Sequence, residues 1–469
     1  MSSVDTDPSK HALSKHAQIA ERIIGNLVQA GSPAVSPDGS TVAFVVSRVD
    51  MAKNKNLSQV WLAATDGSTG PRAVTSGDHD SGPAWSPDGR SLAFASKRGA
   101  KDGESTLHVL PIAAPGETRT IATMKEAVTE TVWSPDGRWI AFTSRTPHER
   151  YDAEDESWQA PRKIDRFFTK LDNEGWIYDR PKHVYVVAAD GTGAPRNLTP
   201  GEFQHGSITW KPDSSGLVLS SQRHDTWDLD FATALYSVSL DGRIDLLTGV
   251  SGSYDAPAVS PDGATVAFVG ADDSQTYPQN VHIGVVPAVG GDHRWLTRDL
   301  DRTFETTSGG SAVSWLDDST LLTAAEDRGE THLYRAALDG STPTRITSGP
   351  ISVNSFDTAG GTIAYAATAV DAVSDIFVVD GGESRRLTSF ADNYRATVKP
   401  KLWEKFVVPS TDATGEIDAW IMLPDDFDES KTYPVLLNVH GGPHTQYGET
   451  FFDEAQVQTA AGFVVLMSN

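Results

Sequence analysis

The sequence predicts a mainly β protein, in which a seven-bladed β-propeller is followed by the start of an α/β domain. Three observations carry this prediction: a turn motif that recurs about every 50 residues, a second hairpin after each copy, and a change to unbroken apolar strands near the C-terminus. With 469 residues the chain is too long for one ordinary core, so two domains are expected.

The recurring motif is Ser-Pro-Asp-Gly, placed between two apolar runs. In such a turn the proline presets φ, the aspartate side chain accepts a hydrogen bond from the backbone two residues on, and the glycine takes a positive φ. Each copy therefore predicts the turn of a β-hairpin. Seven copies occur, with close matches that begin at Ser36, Ser86, Ser134 and Ser260 and weaker ones near Lys211, Leu316 and Thr358.

A second hairpin follows each copy and usually closes in Leu-Thr or Ile-Thr, as at Leu198 and Thr199. Two hairpins per unit make a four-stranded antiparallel blade, and units of this length are typical of propellers. Seven blades then cover about residues 31–395, after an N-terminal extension of residues 1–30. A β-sandwich would not predict this fixed internal period.

One unit is longer than the others because residues 146–183 carry extra sequence. Insertions in repeat proteins often lie on a functional face, so this segment either projects toward whatever the propeller covers or is a solvated acidic loop. Glu154, Asp155 and Glu156 would hold a substrate amine on the first view and form an ordinary solvated charge run on the second. The sequence leaves both readings open.

The composition argues against several kinds of partner and site. A formal net charge of −24 disfavours nucleic acid and anionic membranes. Cysteine is absent, which excludes disulfides and cysteine-based metal sites. The Asp-Gly turns lack the alternating ligands of a calcium loop, so no metal is expected. Neither a membrane span nor a secretory signal is recognised, and a cytoplasmic location is expected.

Residues 396–469 follow a different pattern. Two strands are predicted first. Residues 433–440 then form an apolar run without polar alternation, as expected for a strand that is covered on both faces. A short helix at Glu454–Ala461 and a second apolar strand from Phe463 complete a strand, helix and strand unit. This order predicts an α/β sheet.

The first apolar strand of this unit leads into His440, Gly441, Gly442 and Pro443. Two glycines at the carboxyl end of a strand let the backbone approach a ligand and leave N–H groups free to point into a cleft. In α/β-hydrolases an HGGG-type loop at this place supplies one N–H of the oxyanion hole. Gly441 and Gly442 are therefore the candidate oxyanion donors, and the alternative is a plain glycine turn. His440 precedes any nucleophile, so it is interpreted with Pro443 as support for the loop.

The Ser-Pro-Asp-Gly blades, the His-Gly-Gly-Pro loop and the Ala-Gly-Phe-Val-Val strand at Gly462 together resemble the prolyl oligopeptidase family. The segment Phe168–Trp176 is most similar to its acylaminoacyl-peptidase branch. The resemblance implies a seven-bladed β-propeller followed by the start of an α/β-hydrolase domain. It further implies a serine peptidase that hydrolyses short peptides, in which the propeller gates access, without metal or organic cofactor. Family members often form homo-oligomers.

The nucleophile of that family lies in Gly-x-Ser-x-Gly, which this sequence does not contain. The acid and the final histidine of the triad have no counterpart either. Residues 1–469 alone are therefore predicted to be inactive and to need the missing C-terminal part of the hydrolase domain as a partner. Whether the chain is a fragment or one piece of a two-piece assembly stays open. The alternative function is a β-propeller protein-binding module without catalysis, comparable to Tol-type propellers.

Overall fold

The computed structural model describes residues 15–101, 103–151, 160–172, 174–276, 279–305, 312–442 and 445–469. From Val28 to Arg386 these residues form seven four-stranded antiparallel sheets, one after another along the chain. Each sheet is built from its own strands, and a single parallel bridge between Thr331 and Ser352 joins the sixth to the seventh. The chain is thus mainly β, as predicted.

The elements up to the third sheet begin with a helix. Helix α1 (Lys15–Ile24) precedes sheet 1, which contains β1 (Val28–Val35), β2 (Thr41–Asp50), β3 (Lys55–Ala64) and β4 (Arg72–Ala73). Sheet 2 contains β5 (Ser81–Trp85), β6 (Ser91–Ser96), β7 (Ser105–Pro111) and β8 (Arg119–Met124). Sheet 3 begins with β9 (Thr129–Trp133) and β10 (Trp139–Arg145), is interrupted by a separate hairpin of β11 (Lys170–Leu171) and β12 (Gly175–Trp176), and ends with β13 (Lys182–Ala188) and β14 (Arg196–Asn197).

The next four sheets repeat the same order without such an interruption. Sheet 4 contains β15 (His205–Trp210), β16 (Gly216–Ser221), β17 (Ala234–Ser239) and β18 (Ile244–Leu246). Sheet 5 contains β19 (Ser253–Val259), β20 (Thr265–Ala271), β21 (His282–Pro287) and β22 (Arg294–Trp295). Sheet 6 contains β23 (Val313–Asp317), β24 (Thr320–Asp327), β25 (Glu330–Ala337) and β26 (Thr344–Arg345), and sheet 7 contains β27 (Ser352–Ala359), β28 (Thr362–Ala369), β29 (Ala372–Asp380) and β30 (Glu383–Arg386).

The Ser-Pro-Asp-Gly turns have the hydrogen bonds that the sequence predicts. In sheet 3 the Ser134 hydroxyl donates to Asp136 at 2.6 Å, and the same carboxylate oxygen accepts the backbone N–H of Arg138 at 3.0 Å. Gly137 has a φ of 70°, in the region that favours glycine. The backbone N–H of Trp139 closes the turn by donating to the Ser134 hydroxyl. The motif is therefore a turn that is held mainly by its own hydrogen bonds.

The recurrent threonine has an equally local role. In sheet 5 the Thr297 hydroxyl accepts the backbone N–H of Ile283 at 2.9 Å, just beyond the two-residue fourth strand. The hydroxyl thus replaces a strand partner for a buried N–H, which would be costly to leave unpaired. The same bond recurs between Val60 and Thr75, Val184 and Thr199, Leu235 and Thr248, Leu333 and Thr347, and Ile376 and Thr388.

Neighbouring sheets are tied together by the tryptophan that precedes the turn. Trp133 donates its indole N–H to the backbone oxygen of Ala84 in the preceding sheet at 3.1 Å, and Trp315 does the same to Ala258 at 2.9 Å. The first and seventh sheets also meet, because the N–H of Val35 donates to the carboxylate of Asp357 at 2.7 Å. This hydrogen bond connects the first sheet to the seventh, although the two sheets share no strand.

The C-terminal domain contains a small mixed sheet. After α2 (Phe390–Val398), its elements are β31 (Trp403–Pro409), β32 (Glu416–Met422), β33 (Val435–Asn438), α3 (Asp453–Ala460) and β34 (Val464–Ser468). The strand order is β31, β32, β34 and β33, and the parallel pair of β33 and β34 is connected through α3. The predicted strand, helix and strand unit is therefore confirmed, with bounds that differ by one or two residues.

Two expectations about this region differ from the structure. The strand before His440 was expected to be covered on both faces, and this is wrong for the described residues: Val435 and Leu437 are 56% and 61% exposed. The reason is that β33 is the last strand of the sheet and pairs only with β34. Helix α2 was not predicted, and the predicted domain boundary at residue 395 lies inside it.

The predicted N-terminal extension also contains structure, since α1 packs its buried Ile23 in a cluster with Tyr394 of α2 and Val457 of α3. Strand β1 begins at Val28, three residues before the predicted start of the propeller. Among the helices of the described ranges, none is long and apolar enough to cross a membrane.

Candidate active site

The loop after β33 carries the two glycines that the sequence singles out. Gly442 has a φ of 120°, a conformation that L side chains rarely adopt, whereas a Cβ at Gly441 would meet no atom within 4 Å. Both glycines are exposed. Among the hydrogen bonds between described residues, none uses the N–H of either glycine. Within the described residues, the two N–H groups therefore have no hydrogen-bond acceptor.

His440 contacts the same loop. Its Nδ1 donates to the backbone oxygen of Gly441 at 3.0 Å, and its ring lies edge-on to Tyr447 with centroids 5.5 Å apart. These contacts connect the histidine to the backbone of Gly441 and to a side chain beyond the two glycines. Pro443 lies outside the described residues.

The segment after the glycines meets the propeller. The N–H of Glu449 donates to the backbone oxygen of Gly329 in the β24–β25 turn at 2.6 Å. A Cβ at Gly448 would overlap that same carbonyl, so the two backbones approach as closely as glycine allows. The Trp420 indole contacts Glu449 from the other side. One continuous loop thus holds both the candidate oxyanion donors and a direct contact with sheet 6.

An ion pair fixes the same contact. Arg328 donates two hydrogen bonds, of 2.7 and 3.1 Å, to the carboxylate of Asp418 on β32. Arg328 lowers the pKa of Asp418 below its ordinary value, chiefly through these hydrogen bonds. Asp418 is only 9% exposed, so its charge has a fixed partner across the interface.

A cavity of about 830 Å³ opens beside this contact. Its walls come from the connection between β16 and β17 of sheet 4, from sheets 5 and 6 and from the C-terminal domain. They include Phe231, Glu305, Glu326, Arg328 and Gln446. Ligand pockets usually measure about 300–1,000 Å³. Gln446 belongs to the loop that follows the two glycines, so the cavity lies next to the candidate oxyanion site.

Glu326 is the unusual titratable group of this cavity. Burial, with a smaller contribution from the neighbouring Glu305, raises the pKa of Glu326 to about 7, although a hydrogen bond with Gln446 acts in the opposite direction. A carboxyl group with this pKa is partly protonated at neutral pH. It therefore responds strongly to any charge that enters the cavity.

The long insertion lies on the face that carries the C-terminal domain. It connects the second and third strands of sheet 3, and the equivalent connection in sheet 6 is the one that contacts Glu449. Within it, the ring of Phe168 packs edge-on against Phe231 at 5.5 Å, at the wall of the cavity. The first reading of the insertion is thus favoured. Glu154, Asp155 and Glu156 lie outside the described residues.

The sequence did not reveal the cavity residues. Phe231 lies between β16 and β17, Glu326 lies on β24, and Gln446 lies in the loop after β33, so the three belong to no local motif. Gly329, which contacts the C-terminal domain beside the cavity, is the residue with a local sequence signal, because Arg328 and Gly329 lie between two apolar runs and so predict a turn. Across the described ranges, no group of three His, Cys, Asp or Glu residues is placed to hold a metal ion.

Comparison with known proteins gives consistent relatives. Residues 32–150 match the family model of the TolB beta propeller domain, and residues 259–386 match that of the lipoprotein LpqB beta-propeller domain. The peptidase YuxL of Bacillus subtilis is 28% identical over 94% of this chain and 69% of its own length. Dipeptidyl-peptidase 5 of Porphyromonas gingivalis is 23% identical over 94% of this chain and 66% of its own.

Solved structures show the same fold. An acylaminoacyl peptidase of Pyrococcus horikoshii superposes with a TM-score of 0.78 at 18% identity, over 96% of this chain and 66% of its own. A puromycin-hydrolyzing peptidase of Mycobacterium tuberculosis superposes with a TM-score of 0.69 at 16% identity, over 96% and 67%. The chain thus spans about two thirds of the length of these proteins. By sequence and by fold, the chain resembles peptidases of the prolyl oligopeptidase family.

Proposed function

We propose that this chain is the propeller and the first part of the catalytic domain of a serine-type peptidase that hydrolyses short peptides. The observation that carries the proposal is the loop of Gly441 and Gly442 at the carboxyl end of a parallel strand, whose two backbone N–H groups have no partner among the described residues. Peptidase relatives that match 94% of the chain support the reaction class.

The chemistry follows from these donors. A serine attacks the peptide carbonyl, and a histidine takes the serine proton and passes it to the leaving amine. The negative oxygen of the tetrahedral intermediate is held by the N–H of Gly441 or Gly442, and His440 with Pro443 keeps the loop in place. Loss of one such donor typically lowers the rate about 10²–10³-fold.

The nucleophile belongs to sequence beyond these residues in this proposal. No Gly-x-Ser-x-Gly segment occurs in the 469 residues, and the chain spans 69% of the first relative's length. Strand β33 is the outer strand and pairs only with β34, so its other edge could pair with a further strand of a hydrolase sheet, and further elements would cover the exposed side chains of Val435 and Leu437. Residues 1–469 alone are accordingly expected to be inactive.

The propeller would control access to the site. We infer that the seven sheets are the blades of one ring, because the first and seventh meet through Val35 and Asp357. The ring then covers the cavity beside Gln446, and only short or unfolded peptides would reach it. The names of the relatives suggest two substrate types, N-acylated peptides and peptides cleaved by dipeptidyl peptidases.

Labelling of the native gene product with a fluorophosphonate serine probe tests this function. The probe should label a chain longer than these 469 residues, or a separate fragment that copurifies with them. Recombinant residues 1–469 serve as the matched control and should stay unlabelled. Absence of label from every native species would refute the peptidase and favour the protein-binding module.

A further inference from the structure

Asn469 links the sheet of the C-terminal domain to the loop that carries the candidate oxyanion donors. It follows β34, which lies between β32 and β33 in that sheet. Its backbone N–H donates to the backbone oxygen of Asp418 on β32 at 3.1 Å. The backbone of Asn469 is therefore held by the sheet, and its side chain projects from a fixed position.

The side chain of Asn469 forms two hydrogen bonds with a single residue of the loop. Its Oδ1 accepts the backbone N–H of Tyr447 at 2.7 Å, and its Nδ2 donates to the backbone oxygen of Tyr447 at 3.0 Å. An amide that bonds both backbone groups of one residue fixes the orientation of that residue as well as its distance. A carboxylate could accept the first of these bonds but could not donate the second.

Tyr447 connects Asn469 to the two glycines. The ring of Tyr447 lies edge-on to the ring of His440 at 5.5 Å and contacts the ring of Phe452 at 5.6 Å. His440 in turn bonds to the backbone oxygen of Gly441 at 3.0 Å. A continuous series of contacts thus runs from the sheet through Asn469, Tyr447 and His440 to the first candidate oxyanion donor.

The two bonds from Asn469 have no substitute in the described part of the chain. Among the described residues, no other group bonds to the backbone N–H or the backbone oxygen of Tyr447. Without the amide of Asn469, the backbone of Tyr447 could turn, and the ring that His440 contacts would move with it. The glycines would then lie in one place for a smaller fraction of the time, and catalysis is sensitive to such displacement.

We propose that Asn469 is a positioning residue of the oxyanion site, because its amide holds Tyr447 and, through His440, the backbone of the glycines. The inference rests on the proposed function and deepens it, since it names a residue that sets the geometry of the donors and acts only through Tyr447. Its effect belongs to the step in which negative charge develops on the carbonyl oxygen.

Steady-state hydrolysis of a short peptide amide by the native-length gene product tests the proposal. Wild type is compared with Asn469→Ala and with Asn469→Leu, which keeps a branched side chain without any hydrogen-bonding group. Loss of two ordinary hydrogen bonds should lower kcat about 5- to 150-fold in both variants and leave KM nearly unchanged. Asn26→Ala is the matched control, because Asn26 is exposed and its side chain donates to Arg22, four residues earlier.

Two inhibitors separate a positioning role from a loss of folded protein. With a peptide aldehyde, the serine oxygen bonds to the aldehyde carbon, the serine proton passes to the histidine, and the aldehyde oxygen takes the negative charge in the oxyanion site. The corresponding peptide alcohol binds without reaction. The Ki of the aldehyde should rise by about the factor by which kcat/KM falls, whereas the Ki of the alcohol should stay the same. Neither Ki depends on how much of the protein is misfolded.

Hydrogen exchange of residues 440–449, followed by mass spectrometry, tests the attachment itself without any need for hydrolysis. Both Asn469 variants should exchange faster than wild type in this segment, because the loop has lost its bonds to the sheet. Exchange in the strands of sheet 3 should be unchanged, and Asn26→Ala should match wild type throughout.

The proposal fails if both variants keep the wild-type kcat, if the aldehyde and the alcohol are weakened alike, or if the loop exchanges as in wild type. An active Asn469→Leu beside an impaired Asn469→Ala would also overturn it, because packing and not hydrogen bonding would then hold the loop. These results refute the inference alone when fluorophosphonate still labels the wild type. A wild type that is neither labelled nor active refutes the proposed function, and the catalytic role of Asn469 with it.

Discussion

The two loop glycines differ in backbone conformation, and substitution by alanine should separate them. Gly442 has a φ of 120°, whereas Gly441 has a φ outside the left-handed region and free space around its Cβ position. Gly442 also precedes Pro443 in the sequence, which drives any L residue toward negative φ. Gly442→Ala should therefore deform the loop, and Gly441→Ala should leave it intact.

The expected magnitude follows from the cost of this conformation. A non-glycine residue held in a sparsely populated region of this kind costs about 1–3 kcal/mol. If the loop moves to avoid that cost, the fraction of molecules with the loop in place falls about 5- to 150-fold. The negative charge on the oxygen develops only in the transition state, so the loss of its donors should lower kcat and leave KM nearly unchanged.

The assay is steady-state hydrolysis of a short peptide amide by the native-length gene product. Wild type, Gly441→Ala and Gly442→Ala are compared, with thermal unfolding of each to confirm that the proteins fold. Equal activity of the two variants would show that the φ of Gly442 is unimportant for catalysis. A larger loss for Gly441→Ala than for Gly442→Ala would refute the placement of the loop.

Three other predictions concern stability, charge and docking. Thr297→Val should lower the free energy of unfolding by about 1–3 kcal/mol, because it leaves the buried backbone N–H of Ile283 without an acceptor. Thr344→Val, at an exposed position, should change it little, and denaturant titration compares the two variants. The free energy of unfolding should fall as pH rises from about 4.5 to about 7, because burial and the neighbouring Glu305 raise the pKa of Glu326 to about 7 and thereby favour its protonated form in the folded state. Glu326→Gln should weaken this dependence, and denaturant titration over that pH range compares the two proteins. Gly329→Val should weaken the contact between sheet 6 and the C-terminal domain, because a Cβ there would lie 2.8 Å from the ring of Trp420. Gly349 also has a positive φ but no atom within 4 Å of its Cβ position, so Gly349→Val is the control. Limited proteolysis compares the two variants, and equal cleavage would contradict the docking contact.

The parts of the fold that could be predicted from sequence are those fixed by local chemistry. The Ser134 turn closes on itself within six residues, so its motif is readable without knowledge of the rest of the chain. The recurrent threonine was visible in the sequence as a pattern. Its hydrogen bond to the N–H of a strand 12–15 residues earlier became clear only from the structure.

The parts that could not be predicted depend on distant contacts. Helix α1 forms its core with Tyr394 and Val457, more than 370 residues away, so the N-terminal segment looked like an unstructured extension. The strand before His440 was judged by its apolar composition, yet its exposure depends on which strands lie beside it. The charge run at Glu154 drew attention because it is contiguous, whereas Glu326 and Phe231 are isolated in sequence.

The close approach of Gly329 and Gly448 connects sheet 6 directly to the loop that carries the candidate oxyanion donors. The loop from Gly441 to Glu449 carries the candidate oxyanion donors at one end and the contact with sheet 6 at the other. Arg328 and Asp418 hold the same sheet against β32. Because both ends of the loop are attached to rigid strands, a shift of sheet 6 would move the donors and reshape the cavity together. Access and catalytic geometry would then be coupled through this one contact, which is why Gly329 is expected to affect a reaction that it does not touch.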